Sequence, residues 1–134
     1  MFVYTGGVGA NVNPGDRVRV TGTVAEVGGL TELNTVTTTV LSSGNPLPTA
    51  AAVQLPFMMA GALERYEGMR IALPQTLTVT ETYNLGRYGE VWLSSGGRLM
   101  QPTNIATPGA AAIAQQAAND LNRILIDDGL GIQN

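Results

Sequence analysis

The sequence predicts a mainly β domain with minor α content, and three observations support this prediction. The chain is rich in threonine, glycine (17 residues) and proline (7 residues), a composition that favours short strands and turns over long helices. Two separate segments alternate between apolar and polar residues next to turn signals, as β-hairpins do. With 134 residues, 44% of them hydrophobic, the chain is long enough for one domain with a core. We therefore expect a single module over residues 1–134.

The first predicted hairpin follows a proline-glycine turn at residues 13–16. Its first strand covers residues 17–27 and its second strand residues 30–41. The apolar face of the first strand carries Val18, Val20 and Val24, and the polar face includes Arg17 and Arg19. Gly22 in the middle of this strand predicts a bulge or a sharp bend.

The rest of the chain predicts a second hairpin and two helices. These elements are a short helix near residues 60–67, strands at residues 77–83 and 90–93 joined by a loop at residues 84–89, a further strand at residues 98–101, and a longer helix at residues 110–126. The apolar stripe of the longer helix consists of Ile113, Ala117, Leu121, Ile124 and Leu125, and its polar face includes Gln115 and Asn119. We expect about four to six strands over residues 1–108 and a terminal helix over residues 109–127.

Composition excludes most catalytic chemistry. The chain has no histidine, cysteine or lysine, which removes histidine bases, thiol nucleophiles, zinc sites built on these residues and the lysine of a P-loop. The acidic residues are scattered, and their one local pair, Asp127 and Asp128, fits a solvated helix end. We therefore expect a non-catalytic chain that holds no cofactor. No apolar run approaches the roughly twenty residues of a membrane helix, so we expect no membrane partner.

The tip of the second hairpin is the strongest candidate binding site. It brings together Tyr83, Arg87, Tyr88 and Trp92 around a glycine-containing loop. Aromatic rings stack on bases and arginine reaches phosphates, so this combination is typical of single-stranded nucleic-acid binding, although sugar rings stack on the same side chains. The alternative is a structural role, with Tyr83 and Trp92 as a cross-strand pair.

Arginine supplies all seven basic residues, and the sequence pI is about 4.7. This balance argues against long-range attraction of nucleic acid but leaves room for a local arginine contact with phosphate. Arg17 and Arg19 are the additional candidates for such a contact. The alternative is that the arginines pair with nearby carboxylates on the surface.

Seven ordered stretches share one resemblance: FVYTG (2–6), GDRVRVTGTV (15–24), GLTEL (29–33), LERYEGM (63–69), NLGRYGEV (84–91), QPTN (101–104) and ANDLNR (118–123). They closely resemble the OB-fold-like region of large secreted bacterial extracellular nucleases, which lies upstream of an endonuclease/exonuclease/phosphatase catalytic domain. The resemblance implies a small OB-fold-like barrel that acts as a secreted accessory module on extracellular DNA. It places the divalent metal of the parent protein in the catalytic domain and not in this chain.

The resemblance also implies strands before residue 2, so we expect a fragment of a longer chain with an open strand edge. Such an edge, at Phe2, Val3, Tyr4 and Thr5, is a candidate site of self-association that would make a homo-oligomer. The alternative is a monomer in which the helix at residues 110–126 covers this edge. Two classes of function stay open. One is a DNA-binding accessory module, and the other is a structural or self-assembling β-module derived from the same region.

Overall fold

The computed structural model describes residues 1–7, 9 and 11–130, so residues 131–134 of the predicted tail lie outside the described residues. The strands are more extensive than the helices, which confirms the mainly β class. The chain forms two compact units, one from Met1–Ala51 and Leu63–Ala72, the other from Ala52–Ala62 and Leu73–Asn134. The single module over residues 1–134 stays a prediction.

The first unit is built on a three-stranded sheet in the order β1–β3–β2. Its strands are β1 (Phe2–Val3), β2 (Arg17–Val27) and β3 (Leu30–Ser42). β2 and β3 form the predicted antiparallel hairpin, closed by left-handed Gly28 and Gly29. β1 lies on the other side of β3 and runs parallel to it. Two further short strands, β4 (Ala51–Ala52) and β5 (Ile71–Ala72), pair with each other.

A bulge interrupts the β2–β3 hairpin at Gly22, as the sequence predicts. Thr21 lies opposite Thr37 and Thr23 opposite Asn34, so the extra residue is on β3. Thr35, beside the bulge, has a φ of 52°, a left-handed conformation that β-branched residues rarely adopt. The two backbones come so close here that a Cβ on Gly22 would lie 2.7 Å from the carbonyl oxygen of Asn34.

The predicted buried face of β2 is wrong for two of its three valines. Val18 and Val24 are exposed, Val24 with 61% of its surface, and Val20 alone is half-buried. Glu32 is the buried side chain of β3. β2 is therefore held by its backbone ladder to β3 more than by burial of its side chains.

The second unit contains a three-stranded antiparallel sheet in the order β6–β7–β8. Its elements are β6 (Leu77–Glu81), α1 (Leu85–Tyr88), β7 (Val91–Ser95), α2 (Pro102–Ile105), α3 (Ala110–Leu121) and β8 (Arg123–Ile126). The buried hydrophobic side chains among the described residues all belong to this unit: Val53, Leu55, Ala112 and Ile124.

The predicted helix over residues 110–126 is wrong in its last turn. α3 ends at Leu121, and residues 123–126 form β8 beside β7. Between α3 and β8, the side chain of Asn122 takes the place of a backbone partner for Ser95 on β7. Its Nδ2 donates to the Ser95 carbonyl oxygen (2.9 Å) and its Oδ1 accepts from the Ser95 N–H (3.4 Å). The β-branched Ile124 and Ile126 then fit a strand better than a helix.

The face that α3 buries also differs from the prediction. Ile113 and Ala117 are exposed, whereas Ala112 and Asn119 are buried. Asn119 is satisfied there, since its Nδ2 donates to the Met100 carbonyl oxygen at 3.0 Å and its Oδ1 accepts from Gln115. A hydrogen-bonded amide from the predicted polar face is thus buried, while two residues of the predicted aliphatic stripe are exposed.

The predictions for two shorter elements are also wrong. Residues 60–67 hold a 3-10 turn at Glu64–Tyr66 in place of an α-helix, after Gly61 takes a left-handed φ of 74°. Residues 98–101 are not a strand, because the Leu99 N–H donates to the Thr80 hydroxyl (2.8 Å) and no ladder forms in this described segment. No helix among the described residues has the length and hydrophobicity to cross a membrane.

We expect Gly22→Ala to destabilise the protein by about 1–3 kcal/mol, because the new methyl group meets backbone and the Val36 side chain (2.9 Å) at the bulge. Urea unfolding followed by circular dichroism measures the change. Gly86→Ala is the matched control, since Gly86 lies in α1 with open space around its Cα and a negative φ. Equal stability of the Gly22→Ala variant and the parent would contradict the close approach.

Asp16 closes the turn before β2, where its Oδ2 accepts from the Asn13 N–H at 2.8 Å. A hydrogen bond from the Ser43 side chain, and then that backbone bond, hold the pKa of Asp16 below its ordinary value of 3.8. The ionised Asp16 carboxylate therefore stabilises the folded state at pH values above the pKa that Asp16 has in the unfolded chain. This contribution is lost as the pH falls through the lowered pKa of the folded state. We expect an NMR titration of the Asp16 carboxyl group to give a midpoint below 3.8 and Ser43→Ala to raise it. A midpoint that does not respond to Ser43→Ala would refute the assignment.

Candidate nucleic-acid interface

The tip of the second hairpin is a short helical turn between β6 and β7. The Leu85 N–H donates to the Thr82 carbonyl oxygen at 3.1 Å, which begins α1 close to the end of β6. Gly89 ends α1 in a left-handed conformation, and its N–H donates to the Leu85 carbonyl oxygen at 3.1 Å. The tip therefore has a defined backbone.

A side-chain hydrogen bond fixes the two ends of this tip. Asn84 Nδ2 donates to Glu90 Oε2 at 2.7 Å, across the base of α1. The interaction uses a carboxylate acceptor, which makes it stronger than a bond between neutral groups. It spans the segment that carries Arg87 and Tyr88.

Three of the four predicted tip residues present polar or aromatic surface to solvent. Tyr83 is 88% exposed and Tyr88 is 42% exposed. The Arg87 guanidinium lies over the Tyr88 ring, with its Cζ 5.0 Å from the ring centroid, in a cation–π arrangement. Arg87 forms no ion pair with any described residue, so its charge is available to a ligand.

Trp92 is half-buried in β7 and differs from the other three residues. It lies opposite Glu81 on β6 and Leu125 on β8, so it is not the cross-strand partner of Tyr83, which follows the end of β6. Arg123 covers its ring, with the guanidinium Cζ 4.6 Å from the centroid. Trp92 thus anchors the sheet beneath the tip.

Arg123 is a member of the site that the sequence reasoning missed. The sequence predicts that it lies in the helix at residues 110–126, and only its pairing in β8, opposite Ser94, places it diagonally across from Trp92. Its Nη2 also forms an ion pair with Asp120 Oδ1, the one such pair among the described residues. The sequence could not reveal the contact between Arg123 and Trp92, because this contact depends on the turn from α3 into β8.

A polar cleft of about 410 Å³ in the second unit includes the same arginine. Arg98 and Arg123 are the basic residues of its lining, which also contains Glu81, Gln101 and Asn104. Arg98 is exposed and forms no ion pair within the described residues. The cleft therefore offers guanidinium and amide donors, and one of these guanidinium groups is that of Arg123, which lies over the Trp92 ring.

Arg17 and Arg19 lie in the first unit, whereas the tip residues belong to the second unit. Both are exposed on β2, where Arg17 lies opposite Ser42 and Arg19 opposite Thr39. Neither forms an ion pair with a described residue, which argues against the alternative that nearby carboxylates neutralise them.

The candidate self-association segment has one strand partner. Phe2 lies opposite Glu32 and Val3 opposite Leu33 in the parallel pair, and the Tyr4 N–H donates to the Leu33 carbonyl oxygen at 2.9 Å. Phe2 and Tyr4 are exposed, whereas Val3 and Thr5 are half-buried. β1 is at the edge of the sheet, so its other side has no strand partner among the described residues.

The acidic residues of the described chain do not form a group of three or more that could hold a metal ion. Asp127 accepts a hydrogen bond from the Gly129 N–H, and Asp128 accepts one from the Leu130 N–H at 2.9 Å. The Asp128 carboxylate also lies against the Cα of Gly89, where a side chain larger than hydrogen would collide with it. These two residues thus shape the backbone after β8.

Comparison of the chain with protein-family models, with curated proteins and with solved structures gave no match.

We expect Arg123→Met to lower stability by about 0.5–2 kcal/mol, because it removes a cation–π contact and an ion pair while it keeps the aliphatic stem. Trp92 is the only tryptophan, so its fluorescence reports the change directly, and we expect an altered emission spectrum. Arg98→Met is the control, since it removes the same charge without contact to the ring. Identical spectra and stability for Arg123→Met and the parent would show that the contact is not formed.

Proposed function

We propose that this chain is a non-catalytic nucleic-acid-binding module that binds single-stranded DNA through the tip of its second hairpin. The observation that carries the proposal is the Arg87–Tyr88 pair next to the almost fully exposed Tyr83. An exposed ring can stack on a base, and a guanidinium that lies over a neighbouring ring stays free to bind a phosphate. The hydrogen bond from Asn84 to Glu90 fixes the segment that carries Arg87 and Tyr88 before a ligand binds, which lowers the entropic cost of binding.

Trp92 and Arg123 have a supporting part in this proposal. Their stacked arrangement fixes β7 and β8 under the tip and places Arg123 in the lining of the polar cleft. Arg98 and Arg123 are therefore a second proposed phosphate contact in the same unit as the tip. Arg17 and Arg19 are a separate proposed phosphate contact on the first unit.

We infer an OB-fold-like arrangement of strands and a role as the accessory module of a secreted bacterial nuclease that acts on extracellular DNA. The resemblance of the seven stretches to that family supports this assignment, and so do two antiparallel hairpins with a bulge at Gly22. Any divalent metal would then belong to a separate catalytic domain.

A second candidate function is a structural, self-assembling β-module. Apolar side chains on β2 and β3 favour it, because several are exposed: Val24, Val27, Val40 and Leu41. The segment Phe2 to Thr5 is one proposed contact, through the unpaired side of β1. Low charge density gives little repulsion against such a contact, since 13% of the residues are charged.

We expect weak, salt-sensitive binding of a fluorescein-labelled oligothymidine in an anisotropy titration. Replacing Arg87 and Tyr88 together by alanine should weaken binding by about tenfold or more, because base stacking contributes roughly 1–3 kcal/mol per base. The matched control is the double replacement of Arg65 and Tyr66 by alanine. These residues form the same kind of cation–π pair (5.2 Å) outside the tip, so the control changes the net charge equally.

The proposal fails if the Arg87/Tyr88 variant binds as tightly as the parent, or if the Arg65/Tyr66 control loses as much affinity. Electrophoresis of the oligonucleotide after incubation with magnesium should show intact DNA. Shortened DNA that depends on the metal and on this chain would contradict a non-catalytic module.

A further inference from the structure

One edge of β3 is open along most of its length. On one side, β2 pairs with β3 from Leu30 to Ser42. On the other side, β1 pairs with it at Glu32 and Leu33, and no described strand continues that ladder. Every second backbone N–H and C=O group of β3 beyond Asn34 points away from β2, and no described strand pairs with these groups.

A groove of about 920 Å³ runs beside this open edge. Consecutive residues 34–38 all line it, so it follows the backbone edge and not one face of the sheet. Tyr4, Asn11 and Val12 are on its other wall. Asn34 also lines the groove, and its buried Oδ1 atom has no hydrogen-bond partner among the described residues.

The sequence of the edge is the same in both directions. Residues 36–40 read Val-Thr-Thr-Thr-Val, with Thr38 at the centre. If two copies pair antiparallel about a two-fold axis at Thr38, then Val36 meets Val40 and Thr37 meets Thr39 of the second copy. Cross-strand pairs of threonine with threonine and of valine with valine are both favourable.

The edge also lacks the features that normally prevent such pairing. Between Glu32 and Glu64 the chain has no charged residue, and residues 35–42 contain neither proline nor glycine. Edge strands of monomeric proteins usually carry lysine, proline or an inward-facing charge. A second copy brings an equally uncharged edge, so no like charges face each other across the axis.

We propose that two copies of this chain associate through antiparallel pairing of their β3 edges, with the two-fold axis at Thr38. The inference rests on the second candidate function, self-assembly, and names its contact; it is independent of DNA binding at the hairpin tip. The interface is isologous, so it closes as a dimer and leaves the β2 edges outside.

The first test places charges on the axis. Light scattering of the parent should give a mass that rises with concentration towards twice the 14.0 kDa of one chain. Thr38→Glu and Thr38→Lys should each remain monomeric, because identical charges meet directly, and an equimolar mixture of the two should recover the dimer. Thr23→Glu, on exposed β2 of the same hairpin, is the control and should associate like the parent.

The second test avoids a charge at a half-buried position. The chain has no cysteine, so Thr38→Cys introduces a single thiol of similar size. Directly opposed residues of antiparallel strands have Cβ atoms about 4.5–5.5 Å apart, close to the range that a disulfide spans. Mild oxidation should give a disulfide-linked dimer on a non-reducing gel, whereas Thr23→Cys should not.

Each possible result decides between the contacts. A parent that stays monomeric at every concentration overturns both the β3 contact and the self-assembly candidate. Association that persists in both charged variants, without cross-linking of Thr38→Cys, overturns the β3 contact alone. If Val3→Pro then abolishes that association, the contact lies at Phe2 to Thr5 instead. The anisotropy titration at the tip is a separate measurement, so its failure leaves these conclusions unchanged.

Discussion

The pairing of β8 with β7 is the interaction on which the second unit depends. Four residues of β8 pair with β7, and the Asn122 carboxamide continues the ladder by binding both backbone groups of Ser95. This pairing ends α3 at Leu121 and buries Ile124. It also makes β7 the central strand of this sheet, with a neighbour on each side, directly after the hairpin tip.

The same pairing connects the sheet to the candidate interface. Ser94 is fully buried, and its hydroxyl donates to the Gly97 carbonyl oxygen at 2.8 Å, which fixes the end of β7. Opposite Ser94, Arg123 reaches back over Trp92, while Asp120 at the end of α3 holds its guanidinium. One side chain therefore contacts helix, strand and polar cleft.

The sequence predicts the parts of this fold that depend on neighbours in the chain. The two hairpins and the bulge at Gly22 follow from alternation and turn residues, which are local signals. The last turn of the predicted helix was wrong because the ladder with β7 outweighs helix propensity, and that partner is about thirty residues away. The aliphatic stripe of α3 was wrong for a related reason: Asn119 can be buried once Met100 supplies a carbonyl oxygen.

The candidate site shows the same limit. Tyr83, Arg87 and Tyr88 are close in sequence, so a reader of the sequence can group them. Arg123 joins Trp92 only through tertiary structure, and the exposure of Val18 and Val24 could not be inferred from a pattern that predicts one buried face. Proximity in the sequence is enough to identify the residues of the tip. The residues that support the tip can be identified only when the strand pairing is known.

The uncharged stretch between Glu32 and Glu64 has a consequence for how the protein behaves in solution. All charged residues of the protein lie outside this stretch, and the net charge of the whole chain is only −3 at neutral pH. Near the pI of about 4.7 this charge vanishes, so colloidal repulsion between copies disappears while the exposed valines and the threonine-rich strand are unaffected. Solubility should therefore pass through a minimum at mildly acidic pH, and purification is best carried out well above it.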